Sequence, residues 1–166
     1  MTAFKHLLVP TDFGEASERA LDLAIALAQP IEGQITLLHV SYIPPIAYAG
    51  FDAGGRYWPT EELAKAAKNE LEGAVSMAKA KAGNARIEPL LAEGPPWERI
   101  LQAAKERGAD LIVMGTHGRK GLSHLFLGSV AEKVVRLSPI PVLTVGSRAQ
   151  AQEREKALAN VMGEAK

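Results

Sequence analysis

The segment GTHGRKGLSHLFLGSV, residues 115–130, gathers four glycines, two histidines, an Arg-Lys pair and two serines directly behind an apolar run. Gly115, Gly118 and Gly128 let backbone N–H groups approach a ligand closely, and Ser129 opens a stretch of helical periodicity. A helix N-terminus presents N–H groups without intrahelical acceptors and a favourable dipole, and a serine hydroxyl there adds a donor. Those residue types in that order suit an anion as large as a di- or triphosphate. They also suit a sharp turn in which Ser129 is only an N-cap, and composition leaves both readings open.

Other chemistries are missing from the segment. No Gly-Lys dipeptide occurs in the chain, so there is no Walker A loop. Gly115, Gly118 and Gly121 do not form G-x-G-x-x-G, and Gly121-Leu122-Ser123-His124-Leu125 does not complete the G-x-S-x-G nucleophile elbow. His6, His39, His117 and His124 show no H-x3-H or H-E-x-x-H spacing, which leaves no metal centre built from the chain itself. Asp12, just after the first apolar run, is the carboxylate nearest such a site by position. It is a candidate ligand contact, the one plausible general base, or a cap for the helix that follows.

The elements that must position these residues alternate as β-α-β-α-β-α-β-α-β, the pattern of a parallel sheet covered by helices. HLLVP is the first strand. A helix is predicted from about Glu15 to Gln29 with Ala16, Ala20, Leu23, Ala24 and Leu27 on its buried face. Gln34 to Val40 forms a second, near-continuously apolar strand. Thr60 caps a helix running to about Lys81, with Glu61 and Glu62 in its first turn. ARIEPLLAE is a strand whose Pro89 assigns it to an edge or a bulge. A proline-led helix closed by Gly108, the strand DLIVMG, a short helix from Ser129 to Leu137 and the strand PVLTV complete the order. Ligands on open parallel sheets bind beyond the carboxyl ends of the strands, where strand order reverses. The glycine segment starts at such an end, Met114-Gly115.

Length and composition bound the remaining possibilities. The chain has 166 residues, enough for one domain with a substantial core. Its 19 basic and 19 acidic residues cancel, which argues against a nucleic-acid-binding surface, usually marked by a basic excess, and leaves only a local basic patch open. With no cysteine there is neither a disulfide framework nor a thiolate metal site, and the cytoplasm is the expected compartment. No apolar run reaches membrane length. Residues 41–59 form a long connection with Tyr42, Tyr48, Phe51, Tyr57 and Trp58, either a ligand or partner contact or a passive loop. The tail 147–166 is Ala- and charge-rich, with Leu158, Val161 and Met162 on one side of any helix it forms.

LLVPTDFGEASERALDLAIALA near the N-terminus and LIVMGTHGRKGLSHLFLGSVAEKVVRLSPIPVLTV near the C-terminus, with the spacing G-x2-G-x9-G-S, resemble the ATP-binding type of the universal stress protein family. The resemblance covers roughly residues 3–146 and leaves 147–166 as an extension. It implies an α/β fold: a single Rossmann-like, adenine nucleotide alpha hydrolase-like domain, its five-stranded parallel sheet in the order 3-2-1-4-5 with helices on both faces. It also implies ATP as ligand, accompanied by Mg²⁺ held mainly by phosphates and waters, and a homodimer through the last strand, Val142, Leu143, Thr144 and Val145.

Carried over by position, the resemblance implies that Pro10, Thr11 and Asp12 contact the nucleoside and that Val40 and Met114 wall the adenine. Gly115 continues that wall, and His117, Gly118, Arg119, Gly128, Ser129 and Val130 surround phosphates and ribose. The family often has serine where this chain has Gly14, and its loop varies at His117. Three functions follow: a nucleotide-dependent stress or signalling module without catalysis, a slow ATP hydrolase, or an interaction module that binds no nucleotide.

Overall fold

The computed structural model of the chain describes residues 4–42, 60–116 and 127–163. Five strands, β1 (His6–Thr11), β2 (Gln34–Ser41), β3 (Arg86–Glu93), β4 (Leu111–Gly115) and β5 (Val142–Val145), alternate with helices α1 (Glu15–Ala28), α2 (Thr60–Lys81), α3 (Pro96–Arg107) and α4 (Ser129–Leu137). A fifth helix, α5 (Arg148–Gly163), follows β5. All strand pairs are parallel, and the sheet order is β3-β2-β1-β4-β5. The expected architecture is therefore the observed one, and Pro89 lies on an edge strand, where a missing N–H is tolerated.

Side chains alternate across the sheet and divide the core in two. Leu7, Val9, Ile35, Leu37, Leu111 and Val113 face α1 and α2, packing on Ala20, Ala24, Ile25, Leu71 and Val75. Leu8, Leu38, Ile112 and Met114 face α3 and α4, packing on Ile100, Ala103, Ala104, Ala131 and Val134. This doubly wound arrangement follows from connectivity. The chain moves from β1 out to β3, then returns through α3 to place β4 on the other side of β1. Strand order reverses between β1 and β4.

One helix face differs from expectation. Leu23 and Leu27 of α1 are 37% and 40% exposed, and the buried stripe is Ala16, Ser17, Ala20, Ala24, Ile25 and Ala28. The stripe consists mostly of small residues because α1 lies close to the sheet, and the two leucines sit at its margin. Smaller differences concern helix ends. α1 stops at Ala28 and continues as a 3-10 turn from Gln29 to Ile31, and α2 already includes Thr60 as a helical residue. Gly108 closes α3 with φ 63°, the left-handed conformation that glycine adopts without steric cost.

Candidate functional site

β1 is in register with β2 along its whole length, from His6–Gln34 to Thr11–His39, and with β4 at Leu7–Leu111 and Leu8–Ile112. Beyond those pairs the carboxyl ends of β1 and β4 part, and the crevice expected at a reversal of strand order lies between them.

On the β1 side the backbone turns into α1 through Thr11, Asp12, Phe13 and Gly14. The Thr11 hydroxyl accepts from the Phe13 N–H at 3.0 Å, and the Asp12 carboxylate accepts from the Gly14 N–H at 3.1 Å. The buried Ser17 hydroxyl lies 2.8 Å from Asp12 Oδ1 and 2.8 Å from the Gly14 carbonyl. Asp12 is therefore not the cap of α1. Gly14 occupies that position, and Asp12 is held by the first helical turn from two residues upstream. A Cβ on Gly14 would stand 3.2 Å from Asp12 Oδ1, so glycine there gives the carboxylate room.

Phe13 has φ 61°, an uncommon conformation for a bulky side chain, and its ring packs on His39 with centroids 4.6 Å apart. His39 in turn donates through Nδ1 to the Thr11 carbonyl at 2.9 Å. His6 meets the Thr36 hydroxyl at 2.8 Å, so both described histidines take part in holding β1 against β2. Among the described residues no three His, Asp or Glu side chains converge as a metal site would require.

On the β4 side, Met114 is buried against α3 and α4, and Gly115 faces α1. A Cβ on Gly115 would lie 3.0 Å from the Ala16 carbonyl carbon, the Ala16 Cβ and the Ser17 nitrogen. Gly115 is thus where β4 and the first turn of α1 touch. Thr116 follows, fully buried, with its N–H donating to the Val145 carbonyl at 2.9 Å and its carbonyl accepting from the Gly128 N–H at 2.7 Å.

Gly128 is the N-cap of α4, with φ −61° and ψ 151°, and Ser129 is the first helical residue rather than the cap. Glu132 N–H makes the first intrahelical bond, to the Gly128 carbonyl at 2.9 Å, so the N–H groups of Ser129, Val130 and Ala131 lack intrahelical acceptors. Ser129 is exposed and Val130 half-buried. Val40, near the end of β2, pairs with Ala92 and packs on the α3/α4 side of the core.

The structure therefore brings Pro10, Thr11, Asp12, Val40, Met114, Gly115, Gly128, Ser129 and Val130 to the carboxyl edge of the sheet or the adjoining helix start. His117, Gly118 and Arg119 lie outside the described residues, as does the connection 43–59 with its aromatic side chains. Sequence reasoning missed Ser17, Phe13 and Thr116. Ser17 shares no helical spacing with Asp12, and nothing in the pattern marks a left-handed Phe13.

The model of the universal stress protein family matches residues 3–146. The chain is 36% identical over 147 residues to the universal stress protein YxiE of Bacillus subtilis, covering 86% of this chain and 99% of that one. Among solved structures it is similar to MJ0577 of Methanocaldococcus jannaschii, with 31% identity, a TM-score of 0.75, and 89% and 99% of the two chains covered. It is also similar to a universal stress protein solved in complex with cAMP, with 29% identity, a TM-score of 0.63, and 87% and 98% covered. The family match covers most of the chain, as do the sequence relative and the solved folds, and the chain belongs to the universal stress protein family.

Proposed function

We propose that the chain is an ATP-binding universal stress protein, a nucleotide-dependent module that acts without catalysing a reaction. The observation that carries this reading is the place of two features beyond the carboxyl ends of the neighbouring strands β1 and β4: the Asp12 turn after β1, and the N-terminus of α4, tied to the end of β4 through Thr116 and carrying the exposed Ser129. A carboxylate suits ribose hydroxyls, and three helix N–H groups with a hydroxyl suit phosphate oxygens. A relative solved with cAMP supports an adenine nucleotide as the ligand class.

In this reading Pro10, Thr11, Asp12 and Val40 hold the nucleoside, Met114 and Gly115 form its wall, and Gly128, Ser129 and Val130 take the phosphates. His117, Gly118 and Arg119 are assigned to the phosphates and ribose by the family resemblance alone. Mg²⁺ travels with ATP on phosphate and water oxygens. Residues 1–146 form the nucleotide-binding unit, and 147–166 an appended segment. No helix among the described residues is long and apolar enough to cross a membrane.

Calorimetric titration of ATP into the purified protein tests the proposal. Wild type is expected to bind, and Ser129→Ala to bind about tenfold more weakly, the loss of one hydrogen bond to a charged group. Absence of binding to wild type contradicts the reading. Phosphate release above the buffer blank would replace the non-catalytic module with a hydrolase.

The module is proposed to act as a homodimer through β5. β5 is the second edge of the sheet, and its Leu143 is 37% exposed. An uncovered apolar edge strand favours pairing with another strand. Leu143→Lys is expected to shift the sedimentation profile from dimer to monomer, and an unchanged dimer peak would exclude this interface.

A further inference from the structure

α5 lies beyond the stretch matched by the family model, yet its first turn is fastened to the nucleotide edge of the sheet. Gln150 is 7% exposed, unlike most of its helix, and its Oε1 accepts from the Thr116 hydroxyl at 3.0 Å and from the Ser147 N–H at 2.9 Å. The Gln150 N–H donates to the Ser147 hydroxyl at 3.3 Å. Two contacts to α1 fix the same corner: Arg19 donates to the Gly146 carbonyl at 2.6 Å, and the Arg148 N–H donates to Glu15 Oε1 at 3.0 Å. The far end of α5 is loosely held, with Leu158, Val161 and Met162 between 59% and 69% exposed.

Thr116 is the joint. Its side chain bonds α5, its N–H bonds the end of β5, and its carbonyl bonds the Gly128 N–H that caps α4. A shift of Thr116 therefore moves the helix N-terminus proposed to take the phosphates.

We infer that Gln150 is a positioning residue through which the C-terminal helix sets the place of Thr116 and Gly128, and so the affinity of the nucleotide site. The inference rests on the proposed ATP site for its functional half only. The mechanical half concerns Thr116 and Gly128 and is readable without nucleotide. Because alanine favours helix more than glutamine does, Gln150→Ala removes the bond to Thr116 without weakening the intrinsic helicity of α5. Coupling is reciprocal, so ATP would protect the first turn of α5 as α5 protects the site.

The test is amide hydrogen exchange at Gly128 in the full-length, nucleotide-free protein, together with the ATP dissociation constant. Gln150→Ala and Thr116→Val are each expected to speed Gly128 exchange about tenfold and weaken ATP binding about fivefold, at the lower end of usual coupling factors. The double variant should be no worse than either single change. Thr116→Ser, which keeps the hydroxyl, should hold both values near wild type, and Gln152→Ala on the exposed side of α5 should change neither. A nonspecific loss of stability would not be rescued by serine.

Unchanged Gly128 exchange in Gln150→Ala overturns the inference even if wild type binds ATP. Faster Gly128 exchange in a protein whose wild type binds no ATP upholds the positioning role and removes the nucleotide reading. Faster exchange with an unaltered ATP dissociation constant overturns the functional half.

Discussion

Gly115→Ala is expected to destabilise the protein by about 1–3 kcal/mol, the usual range for forcing a methyl group into a filled site. For a domain of this size that corresponds to a fall in thermal midpoint of about 2–12 °C. The methyl would meet Ala16 and the Ser17 nitrogen at 3.0 Å, and two of those three atoms belong to the backbone of the first turn of α1. Neither helix nor strand can give way cheaply, since Ala16 and Ser17 are buried and β4 is locked between β1 and β5.

Pushing α1 outward also carries the Ser17 hydroxyl away from Asp12, 2.8 Å from it, so ATP affinity should fall with stability. A glycine present only to admit a ligand would behave differently. Its alanine variant would lose ATP and keep its thermal midpoint, and an unchanged midpoint by calorimetry would therefore contradict a packing role for Gly115.

The second large effect concerns Asp12. Asp12→Ala is expected to weaken ATP binding by roughly ten- to a hundredfold, the equivalent of about 1.5–3 kcal/mol for a hydrogen bond to a charged group. The alanine also takes the side-chain acceptor from the Gly14 N–H and one of the two acceptors facing the buried Ser17 hydroxyl, so some stability should go with it. Asp12→Asn separates the two effects. Its side-chain oxygen can still accept from Gly14 and Ser17, so the thermal midpoint should stay near wild type while ATP affinity falls through loss of the charge. Equal ATP dissociation constants for wild type and Asp12→Ala would remove Asp12 from the site.

Much of this fold is legible in the sequence, for identifiable reasons. Continuous apolar strands with helices between them point to the parallel sheet, and Pro89 alone assigns β3 to an edge or a bulge. Ser129 and Leu137 bound α4 correctly because a helix start and a following Ser-Pro are local signals. Leu23 and Leu27 are misplaced by periodicity because large apolar side chains are not always the buried ones. Where a helix approaches a sheet closely, alanine and serine occupy the contact and larger residues are displaced to its margin.

At the site, sequence marks the glycines but not what Gly115 is for, since its neighbour α1 is nearly a hundred residues earlier in the chain. The bond between Thr116 and Gln150 leaves no trace either. Thirty-four residues separate them, and Gln150 carries no periodicity in the Ala-rich tail that distinguishes it from its solvated neighbour Gln152.

ATP is proposed to occupy the edge where β1 and β4 part. Backbone amide shifts of the labelled protein, recorded as ATP is added, test both the binding and its place. Saturable changes are expected at Asp12, Phe13, Val40, Gly115, Ser129 and Val130, with little change along α2. Absence of shifts, or shifts clustered on α2 and the exposed side of α5, would contradict ATP binding at that edge.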